Sequence, residues 1–311
     1  MKRPRDGRAI VIVGPTASGK SRLAVALAER CAGVVINADS MQVYRELSIL
    51  TARPTAQEEA RAPHALYGFV SAAEGYSAGR YAADAARAIA EARSGGRVPI
   101  VVGGTGLYIK ALLQGLSPVP AIQPEVRAHW RGQALHMPAG ELYAILARRD
   151  PVTAARLMPT DPQRIVRALE VLDSTGRSLA EWQRTPGEPV LVEREAVRLL
   201  VLPDRRTHAA AIDARFDAMV AAGALEEVQR LLALGLCDEL PIMRALGVAP
   251  LAAAIAGKLA LSQAAARAKA DTRQFAKRQG TWWRRNMITW IRLSAQELEN
   301  PGGIDLSFIG F

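Results

Sequence analysis

The sequence predicts an α/β protein with a parallel sheet and a helical insertion. Two observations carry this prediction. Short apolar, β-branched runs alternate with helical stretches in the first third of the chain and return near its end, which is the pattern of βαβ units. Residues 116–189 contain no such run and predict helices only. We therefore predict a core formed by 1–115 and 190–311, with 116–189 inserted as a smaller helical domain.

The chain begins with a buried strand that leads directly into a phosphate-binding loop. The strand covers 9–13, and the next eight residues, GPTASGKS at 14–21, match the pattern G-x-x-x-x-G-K-[ST]. Glycines let the backbone wrap so that successive N–H groups point inward at an anion, and the following helix adds the positive end of its dipole. The predicted phosphate ligands are Gly14, Thr16, Ala17, Ser18, Gly19, Lys20 and Ser21.

This loop predicts a P-loop NTPase-like core that binds a di- or triphosphate, the ligand class to which ATP belongs. Lys20 supplies a full positive charge, and the hydroxyl of Ser21 can help to hold Mg²⁺. The alternative is a glycine-rich turn between a strand and a helix that binds nothing. The loop alone leaves open what is done with the phosphate ligand.

A second predicted strand, GVVIN at 33–37, ends just before Asp39. Ligands of open parallel sheets gather at the carboxyl ends of the strands, so we expect Asp39 at the same edge as Lys20. Two roles for its carboxylate remain open at this point. It is either the N-cap of a helix that begins near Gln42 or an acid/base group.

The strand predicted at 98–102 is informative because no carboxylate follows it. Phosphate-loop hydrolases usually place an acidic residue at such an end, where it serves Mg²⁺ or orients water. Here the strand ends in GGTG at 103–106. The site is therefore predicted to bind phosphates, to place one acid/base group and to admit a flat group past a glycine-lined turn. Further strands are predicted at 65–70, 196–202 and 288–293, and helices over 77–94 and 205–234.

Basic side chains are frequent in the insertion and near the C-terminus. Arg127, Arg164 and Arg167 lie on predicted helices of the insertion, and residues 264–285 form a basic helix with interleaved aromatic side chains. Each group is either a surface for a polyanion or a solvated helix face. The insertion helices are predicted near 124–135, 139–157 and 161–176.

The overall charge agrees with a polyanionic partner. With 40 Lys and Arg against 30 Asp and Glu, the formal charge of the 311 residues is +10, although an arginine-rich proteome gives the same excess. The two cysteines, Cys31 and Cys237, form no C-x-x-C pair, so we expect reduced thiols and no structural zinc. The basic opening segment leads into the phosphate loop, which argues against a signal peptide, and no apolar run reaches membrane-spanning length. We expect a cytoplasmic protein.

Six segments that span most of the chain carry a resemblance. They are GPTASGKS (14–21), INADSMQVYR (36–45), GGTGLYI (103–109), DPQRIVRALEV (161–171), RFDAMVAAGALEEV (215–228) and TRQFAKRQGTWWR (272–284). In this order they resemble the bacterial tRNA dimethylallyltransferases, also called tRNA isopentenyltransferases. The chain departs from the family at 244–249, RALGVA, where a Gly-Tyr-Lys/Arg run is common. We therefore do not assign an aromatic or basic contact to Val248.

The resemblance implies a transferase that acts on tRNA. A dimethylallyl group would pass from dimethylallyl diphosphate to the exocyclic N6 of the adenine on the 3′ side of the anticodon, in tRNAs that read codons beginning with U. The phosphate loop would then hold the diphosphate leaving group, with Mg²⁺, rather than ATP. Asp39 is implied as the general base and Thr105 as a substrate contact, and Arg215 is implied to hold the diphosphate from the opposite side.

The resemblance also implies that the insertion binds the anticodon stem-loop of the tRNA, and we expect a monomer. Three rivals remain: a kinase using ATP, a prenyltransferase acting on free AMP or ADP, and an RNA-binding protein with a relict loop. The missing metal carboxylate argues against the kinase. The basic surfaces argue against a free nucleotide as acceptor, and the complete loop argues against a relict. The implied tRNA contacts are Asp39, Ser40, Met41, Gln42, Thr105, Arg127, Gln163, Arg164, Ile165, Val166 and Arg167.

Overall fold

The computed structural model describes residues 8–293. The basic opening segment, for which we predict no signal peptide, lies mostly outside this range. The strands are β1 (Ala9–Val13), β2 (Gly33–Asn37), β3 (His64–Ala65), β4 (Val98–Gly103), β5 (Ala196–Val201) and β6 (Ile291–Leu293). The helices are α1 (Lys20–Cys31), α2 (Ala56–Arg61), α3 (Ala78–Ser94), α4 (Gly106–Gln114), α5 (Pro124–His136), α6 (Ala139–Arg149), α7 (Pro151–Ala154), α8 (Pro162–Thr175), α9 (Leu179–Trp182), α10 (Arg205–Ala221), α11 (Ala224–Leu232), α12 (Val248–Ile255) and α13 (Leu261–Asn286). None of these helices is both long and apolar enough to cross a membrane.

Within residues 8–293, the six strands form one parallel sheet in the order β3-β2-β4-β1-β5-β6. β1 is central, and all five of its residues are buried between β4 and β5. Since β1, β2 and β4 are adjacent and parallel, their carboxyl ends meet at one edge. This edge collects the phosphate loop, Asp39 and the glycine-rich turn. The predicted α/β fold class is confirmed.

Both faces of the sheet are covered by apolar packing. On one face, Leu23 and Leu27 of α1 pack on Ile10 and Ile12 of β1. The other face is larger and includes Trp283 of α13, which is fully buried. Burying a side chain of this size contributes roughly 1.5–3 kcal/mol, so the helices that carry the site are fixed firmly to the sheet.

Four predicted elements differ from the observed ones in the core, and one of them is the strand predicted at 288–293, which begins only at Ile291. No helix begins near Gln42, because the chain makes tight turns there instead. The strand predicted at 65–70 ends after Ala65, since Leu66 and Gly68 adopt positive φ angles of 64° and 56° that interrupt an extended chain. The single helix predicted over 205–234 is two helices, α10 and α11, separated by Gly223 at φ 98°.

The chain forms two compact units, one of Met1–Leu113 with Val190–Phe311 and one of Gln114–Pro189. These limits lie within two residues of the predicted boundaries. The smaller unit has its own apolar core, and its Trp130 indole N–H donates to Asp173 at 2.7 Å. The helix predicted over 139–157 is divided into α6 and α7, because Pro151 cannot continue α6 and starts α7 instead.

A buried carboxylate holds the segment that follows Asp39. Glu227 of α11 is 3% exposed. Its Oε1 accepts hydrogen bonds from the Ser48 N–H at 2.7 Å, the Ser48 hydroxyl at 3.0 Å and the Ile49 N–H at 2.9 Å, while Oε2 accepts from the Leu50 N–H at 2.9 Å. These hydrogen bonds offset the free-energy cost of burying the carboxylate, and they satisfy three backbone N–H donors at once.

We expect Glu227→Ala to lower the free energy of unfolding by about 3–5 kcal/mol, because the buried N–H of Leu50 and the half-buried N–H groups of Ser48 and Ile49 lose their acceptor. Urea unfolding followed by circular dichroism measures the change. The matched control is Glu226→Ala, since the neighbouring Glu226 is exposed. The free energy of unfolding of this control should change by no more than about 0.5 kcal/mol. Equal losses in the two variants would contradict this account of Glu227.

Candidate active site

The phosphate loop has the backbone geometry of an anion nest. Ala17 and Gly19 both adopt left-handed conformations, with φ of 57° and 86°, which turn neighbouring N–H groups toward one point. Gly14 is required by a close approach, since a Cβ there would lie 2.5 Å from the Val201 carbonyl oxygen. The Ser18 hydroxyl is buried and has no hydrogen-bond partner among the described residues. A buried polar atom without a partner indicates that a ligand completes the loop.

Two cations and one carboxylate influence one another at this loop. Lys20 begins α1, is 9% exposed, and donates from Nζ to the Pro15 carbonyl at 3.1 Å. Burial lowers the pKa of Lys20 to about 8; the Asp39 carboxylate opposes this shift and the Arg215 guanidinium adds to it. Burial also lowers the pKa of Arg215, and Asp39 again opposes the shift. The structure thus brings Lys20, Asp39 and Arg215 together, as predicted.

Asp39 is fixed by its neighbours rather than by a helix. Its N–H donates to the Asn37 side-chain oxygen at 2.8 Å, and the Asn37 amide donates back to the Asp39 carbonyl at 3.0 Å. Oδ1 of Asp39 accepts from the Met41 N–H at 2.9 Å, which closes a tight turn. The helix N-cap role is therefore wrong, because no helix follows. A carboxylate that uses one oxygen in a turn keeps lone pairs for a proton.

The glycine-rich turn after β4 contacts the Asp39 segment directly. The Thr105 N–H donates to the Ala38 carbonyl at 3.3 Å, and Thr105 Oγ1 accepts from the Ser40 N–H at 2.9 Å. Gly103 permits this approach, since a Cβ there would lie 2.1 Å from the Ala38 carbonyl oxygen. Thr105 therefore lies beside the Asp39 segment, at the same edge of the sheet.

The predicted tRNA contacts after Asp39 are partly engaged in the protein itself. Ser40, Met41 and Gln42 are half-buried. The Gln42 amide donates to the carbonyls of Thr51 and Ala52, at 2.9 and 2.8 Å. Gln42 thus orders its own loop, and its oxygen is the atom left for a ligand.

Within the insertion, the predicted residues separate into two groups. Ile165 and Val166 are buried in its apolar core, so their side chains are not exposed to a ligand and only their backbone remains a candidate tRNA contact. The helical period explains this, because positions 165 and 166 face inward while 163, 164 and 167 face out. The exposed candidates are Arg127, Gln163, Arg164 and Arg167.

A buried acid orders one of these arginines together with a residue that the sequence did not single out. Glu170 is 3% exposed and pairs with Arg167 at 3.6 Å and with Arg131 at 3.3 Å. The guanidinium of Arg164 pairs with Asp161 at 3.4 Å. Arg131 lies one turn beyond Arg127 on α5, and that spacing is the signal that could have predicted it.

Part of the basic C-terminal helix is used for packing. Lys269 pairs with Asp217 at 2.6 Å, and Arg273 pairs with Asp213, so α10 neutralises both cations. Farther along α13, exposed cations line a surface groove beside the half-buried Trp282. The groove is lined by Gln274, Lys277, Arg278, Thr281, Trp282, Arg285 and Asn286.

Comparison with known proteins decides the family. The family model described as IPP transferase matches residues 42–286, and the model described as isopentenyl transferase matches residues 7–67. The chain belongs to the IPP transferase family. A tRNA dimethylallyltransferase of Parvibaculum lavamentivorans is 51% identical over 304 residues, which cover 97% of this chain and 96% of that protein.

Solved structures of IPP transferase family members have the same fold. The tRNA isopentenylpyrophosphate transferase of Bacillus halodurans is 29% identical, with a TM-score of 0.66 over 96% of this chain and 98% of that one. A eukaryotic dimethylallyltransferase that acts on tRNA is 27% identical, with a TM-score of 0.81 over 97% of this chain and 77% of that one. The predicted family resemblance is confirmed.

Sequence reasoning missed three residues of this IPP transferase site. Gln279 bridges the phosphate loop and the glycine-rich turn. His208 contacts the Thr16 carbonyl through Nε2 at 2.7 Å, and a carbonyl only accepts, so Nε2 carries a proton. Burial raises the pKa of Tyr67, and the Asp39 carboxylate adds to this shift, so the phenol stays protonated near the site. Only tertiary contacts bring these residues to the phosphate loop and the Asp39 segment. The one sequence signal was for Gln279, which lies inside TRQFAKRQGTWWR, a segment that carries the family resemblance.

The lowered pKa of Lys20 predicts a pH-dependent affinity for an alkyl diphosphate. Lys20 is charged below about pH 8 and neutral above it. Affinity should therefore fall as pH rises through 8, approaching about tenfold per pH unit. Calorimetric titration without tRNA measures this slope. Lys20→Arg should remove the slope, since guanidinium keeps its charge; an unchanged slope would mean that another group titrates.

Proposed function

We propose that this protein transfers a dimethylallyl group from dimethylallyl diphosphate to N6 of the adenine on the 3′ side of the anticodon, in tRNAs that read codons beginning with U, and releases diphosphate. One observation carries the chemistry: a phosphate loop, a neighbouring guanidinium and a single carboxylate meet at one edge of the sheet. The family and its tRNA dimethylallyltransferase relatives support the choice of substrates.

The phosphate loop acts on the leaving group. As the bond between the allylic carbon and the bridging oxygen breaks, its electron pair goes to the diphosphate. Lys20, Arg215 and the loop N–H groups lie where this negative charge develops, so they stabilise the transition state more than the ground state. Lys20 is buried, and its charge is therefore less screened by water.

Asp39 acts on the nucleophile. The N6 lone pair forms the new bond to carbon, and N6 must lose one proton as that bond forms. The Asp39 carboxylate accepts this proton. The adenine reaches the site only after leaving the anticodon-loop stack, where bases are already partly unstacked. Thr105 and Ser40 hold the Asp39 segment in place for this step.

Mg²⁺ is the proposed cofactor, and the donors fit it. Within residues 8–293, no three His, Cys, Asp or Glu side chains come together as a metal site. Mg²⁺ commonly takes one or two protein ligands and completes its shell with phosphate oxygens and water. The Ser21 hydroxyl, at the start of α1, is the proposed protein ligand. The ion would neutralise charge on the diphosphate.

We propose one tRNA contact surface within each unit. In the insertion it is formed by Arg127, Arg164 and Arg167, and in the core by the cations around the α13 groove. Positive charge at these places favours a macromolecular polyanion over free AMP. We further propose that the protein acts as a monomer in the cytoplasm. Light scattering at micromolar concentration would show one chain per particle, and a stable dimer would refute the monomer.

Arg167 should contribute to tRNA binding rather than to the chemical step. We expect Arg127→Ala and Arg167→Ala each to raise the tRNA KM by about 3- to 30-fold, with kcat changed less, and to reduce the salt dependence of binding by about one counterion. The matched control is Arg177→Ala, an exposed insertion arginine for which we predict no tRNA contact; like Arg167 it is paired with a glutamate, in this case Glu181. An unchanged KM in the first two variants would return these arginines to a solvated helix face.

A transfer assay tests the proposed function. The protein is incubated with Mg²⁺, dimethylallyl diphosphate labelled in the prenyl group, and tRNA lacking base modifications. Label should enter tRNA, and a tRNA with guanine in place of the target adenine should stay unlabelled. Turnover of ATP without labelling of RNA would instead indicate a kinase, and labelling of free AMP alone would indicate a small-molecule acceptor.

A further inference from the structure

Gln279 joins two loops that are distant in the sequence. It lies in α13 and is 9% exposed. Its Oε1 accepts from the Thr16 N–H of the phosphate loop at 2.9 Å, and its Nε2 donates to the Gly104 carbonyl at 2.8 Å. A side-chain amide offers an acceptor and a donor in one plane, so it can satisfy both loops at once.

The glycine-rich turn is shaped to receive this part of α13. A Cβ on Gly104 would lie 2.5 Å from Gln279 Nε2, and a Cβ on Gly106 would lie 2.9 Å from the Trp282 ring. Gln279 and Trp282 are three residues apart and share a helix face. α13 therefore contacts the turn at two adjacent points, and at each of them a Cβ on the turn would displace a side chain of α13.

These contacts connect the leaving-group loop to the base. Gly104 precedes Thr105, whose Oγ1 accepts from the Ser40 N–H, and Ser40 follows Asp39. On the other side, Thr16 precedes Ala17, which has the left-handed conformation of the anion nest. A shift of the Gln279 amide would therefore move both the phosphate loop and the Asp39 segment.

We propose that Gln279 is a positioning residue that sets the distance between the bound diphosphate and the Asp39 carboxylate. This inference rests on the proposed transferase function. The allylic carbon, the leaving oxygen and the adenine nitrogen must be aligned before transfer, and an error of about 1 Å in such alignment costs roughly 10²-fold in rate. Gln279 acts through the two loops and contacts no reacting atom.

Gln279→Leu, Gln279→Glu and Gly104→Ala test the proposal. Leucine has a similar volume and removes both hydrogen bonds, so we expect kcat to fall about 10²-fold and the tRNA KM to change less than about threefold. Gly104→Ala displaces the amide and should cause a similar loss. Combined with Gln279→Leu it should add little, since both variants break one network. Gln229→Leu, at an exposed position of α11, is the matched control.

Gln279→Glu separates positioning from folding. Glutamate still accepts from the Thr16 N–H, but its ionised form cannot donate to the Gly104 carbonyl. A protonated carboxyl can donate again, so the kcat of this variant relative to wild type should rise as pH falls. A flat ratio across pH would overturn the proposal, as would a leucine variant that loses only thermal stability while keeping its kcat.

A binding measurement separates this inference from the proposed function. Inorganic diphosphate titrated into each folded variant without tRNA should bind about tenfold more weakly to Gln279→Leu than to wild type, because the anion nest loses a support. Equal affinities would show that Gln279 does not order the phosphate loop. If wild type binds diphosphate but transfers no prenyl group to any tRNA, the proposed function fails while the effect of Gln279 on the loop is still decided.

Discussion

Asp39→Asn lowers kcat for prenyl transfer by about 10²- to 10⁴-fold, the range for loss of a general base. The amide oxygen of asparagine still accepts from the Met41 N–H, so the turn and the tRNA surface stay in place. Only the capacity to take a proton from N6 is lost. The tRNA dissociation constant should therefore change less than about threefold.

Single-turnover kinetics with saturating tRNA and filter binding measure the two quantities for Asp39→Asn. The control is Asp238→Asn, at an exposed position outside the site. A large loss of tRNA affinity with little change in kcat would show that Asp39 is an RNA contact. Full activity in the asparagine variant would require another base.

Lys20→Met lowers kcat by about 10²- to 10³-fold, comparable to the removal of one preorganised charge from a transition-state site. Methionine matches the apolar stem of lysine, so the buried position remains filled. The loss concerns the leaving group alone. Alkyl diphosphate affinity should fall as well, whereas tRNA affinity without the diphosphate should not.

Rapid-quench kinetics of Lys20→Met isolate the chemical step. Lys258→Met, which removes an exposed lysine far along the chain, is the matched control for charge. If Lys20→Met lowered tRNA affinity and left kcat unchanged, Lys20 would not act on the leaving diphosphate.

Much of this site follows from local sequence. The motif GPTASGKS, directly after a buried strand, specifies a phosphate loop, and its Lys20 supplies the positive charge. The parallel order of the strands places Asp39 at the same edge of the sheet. Thr105 follows for the same reason. These elements are predictable because each depends on contiguous residues and on the rule that ligands gather at the carboxyl ends of strands.

Other features depend on distant contacts and could not be predicted in this way. The amide of Gln279 reaches Thr16 across 263 positions of sequence. Glu227 reaches Ser48 from α11; the helical period places it on the buried face beside Val228, but the sequence does not show which backbone donors it meets. The helix predicted near Gln42 fails because the Asp39 carboxylate closes a turn there instead of capping a helix.

The position of the prenyl group on the product tRNA shows whether the protein carries out the proposed transfer. tRNA without base modifications is incubated with the protein, Mg²⁺ and dimethylallyl diphosphate, then digested with a nuclease and analysed by mass spectrometry, while released diphosphate is counted. We expect one dimethylallyl group on the adenine 3′ of the anticodon and one diphosphate released for each group transferred. Diphosphate release without modified adenine, or modification at another base, would contradict the proposed transfer.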